Sequence, residues 1–141
     1  MATGLAEPTA VVLRIAAEAD LILVRQTLRA EAIVVGLGLV DQTKLVTAGS
    51  ELARNILTYA TGGRGEVRIE QVRLGERRGV RATFTDSGPG IVDIDAAMRD
   101  GFSTRGSLGL GLPGSKRLVD QLAITSALGS GTTVVIVKWT R

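Results

Sequence analysis

The chain has 141 residues, of which 45% are hydrophobic, 22% charged and only 3% aromatic, with a net charge of +3 and neither cysteine nor histidine. That length suits a single domain over residues 1–141, with a core of Val, Leu, Ile and Ala. The missing cysteines exclude disulfides, thiolate nucleophiles and the common zinc sites, and the missing histidines exclude a Ser-His-Asp triad and any phosphohistidine step on this chain. Chemistry is left to carboxylates, backbone amides, Arg, Lys and a metal held by oxygen ligands.

The opening MATGLAEPTA lacks a basic stretch, an apolar run and a cleavage site, so a cytoplasmic protein is expected. The longest apolar-rich stretch, Ala30 to Val40, contains Glu31 and falls far short of a bilayer span, so no membrane partner is expected. Lys and Arg are dispersed without an aromatic stacking set, and nucleic acid is not expected as a partner either.

Ala10 to Ile15 alternate as a first strand. Asp20 stands as an N-cap before Leu21, Val24, Leu28, Ala32 and Val35 at helical spacing, and Gly36 and Gly38 end that helix. Asp41 is the next candidate cap, followed by Leu45, Ala48, Leu52, Ile56 and Tyr59 on one face, with Gly62-Gly63 closing the second helix. From Glu66 the period becomes two, through Val67, Ile69, Val72 and Leu74. A turn over Gly75 to Gly79 follows, then Val80, Ala82 and Phe84, making a hairpin that ends at Asp86. After the turn DSGPG come a short helix near Asp95 to Arg99, the Gly/Ser-rich GFSTRGSLGLGLPG, and a helix over Ser115 to Leu122. Ala123 to Leu128 and Thr132 to Trp139 form a terminal hairpin around Gly129-Ser130-Gly131. The order β-α-α-β-β-α-α-β-β predicts an α+β fold, a two-layer sandwich with helices on one face of a mixed, mostly antiparallel sheet.

Three separated segments carry polar chemistry. In Glu51-Leu52-Ala53-Arg54-Asn55 the carboxylate and the carboxamide are four residues apart, side by side on a helix and bordering its apolar stripe. Such a pair can orient a hydroxyl and hold a hard cation through oxygen, and it also fits a solvated Glu and a late-helix Asn. Asp86-Ser87-Gly88-Pro89-Gly90-Ile91 puts a carboxylate at a strand end before a glycine turn, where it can accept from an exocyclic amine of a flat ring; it also fits a simple type II turn. Gly101 to Gly114 has the composition of a lid, with hydroxyls and one Arg, running into a helix N-terminus suited to phosphate oxygens. Its GxGxxG match is not a dinucleotide fingerprint, because no strand precedes it and no acidic residue follows Asp120. Gly49 in the middle of the second helix costs about 1 kcal/mol against alanine, for no reason visible in the sequence.

In order and spacing, ELARN, DSGPGI, GLGLPG and Gly131-Thr132-Thr133 resemble the N box, the G1 box, the G2 box and the closing G-T of the GHKL (Bergerat-fold) ATPases. Within that superfamily SELARNI, RDGFST, GLGLPGSKRLVD and the final VKW are similar to the serine/threonine switch kinases of the stressosome, over almost the whole chain. The resemblance implies ATP and Mg2+ as cofactors, with Asn55 on the metal, Glu51 as the base or orienter of the incoming hydroxyl, and Asp86, supported by Thr132, on the adenine amine. It implies that Gly88, Gly90, Gly109, Leu110 and Gly111 shape the pocket and that Ser103, Thr104 and Arg105 close over the phosphates. Arg54 and Lys116 face either phosphate or solvent, with solvent favoured for Arg54. It further implies STAS-domain scaffold or antagonist proteins as substrates, a PP2C-type phosphatase as the target activated, and a general stress or sigma-factor pathway. A nucleotide-gated anti-sigma factor and a detached histidine-kinase ATPase domain are the rival readings.

Overall fold

The computed structural model of the chain describes residues 10–60, 62, 64–87, 111–127, 129 and 131–141. Strands β1 (Val11–Ile15), β2 (Gly65–Leu74), β3 (Arg77–Asp86), β4 (Gln121–Ala127) and β5 (Gly131–Trp139) form one sheet in the order β1-β2-β3-β5-β4, with every pairing antiparallel. Helices α1 (Glu18–Val35), α2 (Leu39–Tyr59) and α3 (Gly111–Leu118) complete the described elements. From β1, β2, β3 and β5, Ile15, Val67, Ile69, Val80, Ala82, Phe84, Val134 and Ile136 meet Leu21, Val24, Leu28, Leu45, Leu52 and Ile56 of the helices in a single core, against which Leu122 and Ile124 of β4 pack half-buried. Each of the buried ones except Ala82 contributes about 1.5–3 kcal/mol on burial. The expected helices-on-one-face sandwich is the architecture found. The expected helix near Asp95 to Arg99 lies outside the described residues.

Helix α1 begins at the cap residue Ala17, not at Asp20. Asp20 is already inside the first turn, where its carboxylate accepts from the backbone N–H of Ala16 (2.8 Å) and Ala17 (3.0 Å), satisfying donors that the helix start leaves open. The helix ends as expected at Gly36, whose φ of 98° lets Leu37 N–H turn back to Ala32 O at 2.9 Å. Helix α2 starts earlier than Asp41, with Gly38 as its cap. Asp41 is buried, and its carboxylate meets Arg141 Nε at 3.0 Å and Lys138 Nζ at 3.5 Å, so its partners are the last residues of the chain instead of the helix's own amides. Lys138 is 3% exposed and also lies 3.7 Å from Asp120, which ties β5, α2 and the α3–β4 junction together.

The β2–β3 turn needs only Gly75 and Glu76, since Leu74 already pairs with Arg77. Helix α3 runs over 111–118 instead of 115–122, with Pro113 in its first turn, where a missing N–H costs nothing. Asp120 ends it: its N–H donates to Val137 O at 2.9 Å and its carboxylate accepts from Trp139 N–H at 2.7 Å. Strand β4 therefore starts at Gln121, and Leu122 pairs with Ile136 instead of continuing the helix.

Gly49 has a packing reason. Helix α2 crosses α1 there, and a Cβ would overlap Leu28 Cδ1 and stand 3.6 Å from Phe84 Cζ. The glycine lets two helices and a strand meet at one point, at the cost of some helix propensity.

Candidate functional site

Four strands end side by side in one row. Gly65 of β2 is opposite Asp86 of β3, Asp86 is opposite Thr132 of β5, and Thr132 is opposite Ser126 of β4. Asp86 follows the buried Phe84 by two residues and Thr132 precedes the buried Val134 by two, so alternation turns both toward the helix-covered face. Asp86 and Thr132 are half-buried, and Thr132 Oγ1 lies 2.9 Å from Ser126 Oγ, which also donates to Gly131 O at 3.2 Å. Ser126 was not among the expected site residues. Its signal was the symmetry of the terminal hairpin, which places positions 126 and 132 equally far from Gly129.

Two glycines let the chain close around this row. Gly131, at φ 84°, passes so close that a Cβ on it would overlap the Asp86 carbonyl oxygen and stand 2.8 Å from Ser87 Cα. Gly65 leaves room for Ile56 of α2, whose Cγ2 would stand 2.9 Å from a Cβ there. Ile56 thus docks the C-terminal half of α2 over the strand ends that carry Asp86.

Glu51 and Asn55 lie on that same half of α2, one turn apart. At 100° per residue they stand roughly 120–160° round the helix from Gly49, on the flank turned away from α1. Helix α3 packs against α2, and its Ser115 is fully buried. Glu51 is 7% exposed and Asn55 half-buried, so the pair borders the core and is not a fully solvated one. A carboxylate and a carboxamide oxygen so placed can hold a hydroxyl and one edge of a hard cation, while among the described residues no group of three or more Asp or Glu forms a metal cage. Arg54 points elsewhere, pairing with Glu18 at 3.1 Å on the surface, and Lys116 is exposed on α3.

The structure thus gathers Asp86 and Thr132 at one sheet end and sets Glu51 and Asn55 on the helix above it. Gly111 opens α3. Gly88, Gly90, Ser103, Thr104, Arg105, Gly109 and Leu110 lie outside the described residues.

A helix layer on an antiparallel sheet is shared with known proteins. Residues 40–140 match the family of histidine kinase-, DNA gyrase B- and HSP90-like ATPases, and the chain belongs to that family. It is therefore an ATP-binding domain. Among its relatives, the serine/threonine-protein kinase RsbT of Bacillus subtilis (strain 168) is 48% identical over 128 residues, covering 91% of this chain and 95% of the relative. An anti-sigma F factor of Pasteuria penetrans is 31% identical over 102 residues, 70% of this chain and 68% of that protein. In structure, the RsbU and RsbW domains of a Mycobacterium tuberculosis protein superpose with a TM-score of 0.65 at 23% identity, over 96% of this chain and 33% of that one. The mycobacterial sensor histidine kinase MprB superposes at 0.57 and 22% identity, over 95% of this chain and 98% of that one. At those identities the two structures speak for the fold alone. No described helix is long and apolar enough to cross a membrane.

Proposed function

We propose that this chain is a serine/threonine-protein kinase that transfers the γ-phosphate of ATP to a Ser or Thr of a STAS-domain scaffold or antagonist protein. In the same reading it controls a PP2C-type phosphatase in a stress or sigma-factor pathway. The observation that carries it is the 48% identity to a serine/threonine-protein kinase over nearly the full length of both chains, together with a nearly buried Glu51 one turn from Asn55. Phosphoryl transfer asks mainly for positioning and charge neutralisation, which a chain without histidine can supply. Asp86 accepts from the adenine amine and is flanked by Thr132, whose hydroxyl is held by Ser126. Glu51, shielded beside the core, orients the acceptor hydroxyl and takes its proton. Asn55 would offer its carboxamide oxygen to Mg2+, a hard cation that takes oxygen ligands. When bound, that ion neutralises charge on the phosphates.

The test mixes purified protein, STAS-domain proteins of the same genome, Mg2+ and labelled ATP. Label on Ser or Thr, lost with Glu51→Ala, is the expected result; label only in free phosphate, or on a His or Asp, overturns the kinase reading. The 31% identity to an anti-sigma factor supports one rival, a nucleotide-gated switch that sequesters a sigma factor. That rival predicts a stable complex with a sigma factor, disrupted by an antagonist instead of by phosphotransfer to a scaffold.

A further inference from the structure

A helix that covers a sheet normally has one apolar face, whereas α1 has two. Its inner face buries Leu21, Val24, Leu28, Ala32 and Val35. Its outer face leaves Ile22 53%, Leu23 49%, Ile33 58% and Val34 56% exposed. At 100° per residue these four, with the exposed Ala19, Gln26 and Ala30 between them, fill one stripe roughly 120° wide in which Gln26 is the single polar side chain. Just past the Gly36–Gly38 corner, the first turn of α2 adds two more exposed apolar residues, Leu39 at 71% and Val40 at 67%. Apolar side chains scattered singly on a surface need no explanation, but a run of them along one helix face marks an interaction site.

We propose that this stripe is a docking surface for a helix of a partner protein, one with its own apolar stripe and acidic residues along one edge. The 3–4 spacing of the exposed residues is what a second helix needs to lie alongside. The charge of the partner follows from the border. Arg25 and Arg29 line one edge, and neither has a carboxylate partner among the described residues; Arg29 donates only to the uncharged Gln42 (3.1 Å) and Thr43 (3.4 Å). The two carboxylates beyond the opposite border already have partners: Asp20 accepts from the Ala16 and Ala17 N–H at 2.8 and 3.0 Å, and Glu31 accepts from Gln71 at 2.8 Å. A second copy pairing antiparallel would set the Arg edge against its own Arg edge, like charge against like. A lipid surface is disfavoured because the stripe contains no aromatic residue to anchor at a headgroup boundary.

The whole chain is titrated against a fluorescein-labelled helical peptide with Leu at its a and d positions and Glu along the flanks, and against the same peptide with Lys in place of Glu. Fluorescence anisotropy should show saturable binding of the Glu peptide only. Val34→Ser/Leu39→Ser and, separately, Arg29→Glu should each weaken it by at least about tenfold. ADP affinity, unchanged in both variants, reports that they fold. No saturation, equal binding of the Lys peptide, or undiminished binding by the variants overturns the proposal. So does a wild-type dimer in sedimentation that the double variant dissociates, which assigns the face to a second copy. Binding to phosphatidylglycerol vesicles that the double variant loses overturns it in favour of a lipid surface.

Discussion

Gly131 and Asp86 leave no space between them: at φ 84° the glycine lies so close that a Cβ on it would overlap the Asp86 carbonyl oxygen. The strand that brings in Thr132 can therefore reach the row of site residues only through a glycine. Gly131→Ala meets both a left-handed backbone and a backbone clash, each of order 1–3 kcal/mol, and it should lower the unfolding midpoint and ADP affinity together. Thermal unfolding with ADP calorimetry checks this; wild-type values in both would show that the row tolerates displacement.

Asp86→Asn leaves the backbone alone and changes one acceptor oxygen into a donor. If Asp86 receives the adenine amine, ADP and ATP should both bind about tenfold to a hundredfold more weakly, the equivalent of ~1–3 kcal/mol. Stability should hardly move, because Asp86 is only half-buried. Unchanged ADP affinity by calorimetry would remove Asp86 from the adenine pocket.

Glu51 and Asn55 are neighbours that should fail in different ways. Asn55→Ala should abolish the Mg2+ dependence of nucleotide binding. Glu51→Ala should keep nucleotide affinity within about threefold and reduce phosphotransfer by about a hundredfold or more, the usual scale for a lost general base. Equal losses of affinity in the two variants, with no separate effect on rate, would refute this division of roles.

At Gly49 two effects oppose one another. Alanine improves helix propensity by about 1 kcal/mol, while the new methyl overlaps Leu28, and overpacking of a close-packed core costs about 1–3 kcal/mol. Net destabilisation is expected in Gly49→Ala, with part of it recovered in Gly49→Ala/Leu28→Val. Urea unfolding of the single and double variants measures both terms.

The Asp41 cluster predicts a pH dependence. The hydrogen bond from Arg141, aided by the charge of Lys138, holds the Asp41 carboxyl below its ordinary value, against the opposing effect of burial. Because the folded state favours the ionised form, the stabilisation is fully present above pH ~4, the unfolded value, and is lost as pH falls through the lower folded value. Asp41→Asn leaves Lys138 with Asp120 alone and should cost about 2 kcal/mol at neutral pH. The gap between the two melting curves should hold from pH 8 to about pH 5 and close below pH ~4; a constant gap down to the acid transition would assign the loss to packing.

Much of this molecule is legible in the order of its residues because the signals are local. The 3.6-residue period of Leu21 to Val35 and of Leu45 to Tyr59, the two-residue period of Val67 to Phe84, and the glycines at 36, 75 and 129 each act within a few positions. So does the ELARN segment, where one turn of helix sets Glu51 and Asn55 side by side. The misplaced boundaries mark where distant partners decided. Asp41 looks like a helix cap until Lys138 and Arg141 reach it from the far end of the chain, and Leu122 looks helical until Ile136 pairs with it. Gly49 is a fault in a helix until Leu28 and Phe84 meet there, and Ser126 is unremarkable until Thr132 is laid opposite it. Helix and strand periods follow from neighbouring residues, whereas a shared core, a buried ion cluster and a row of four strand ends exist only once residues from 6 to 100 apart are packed together.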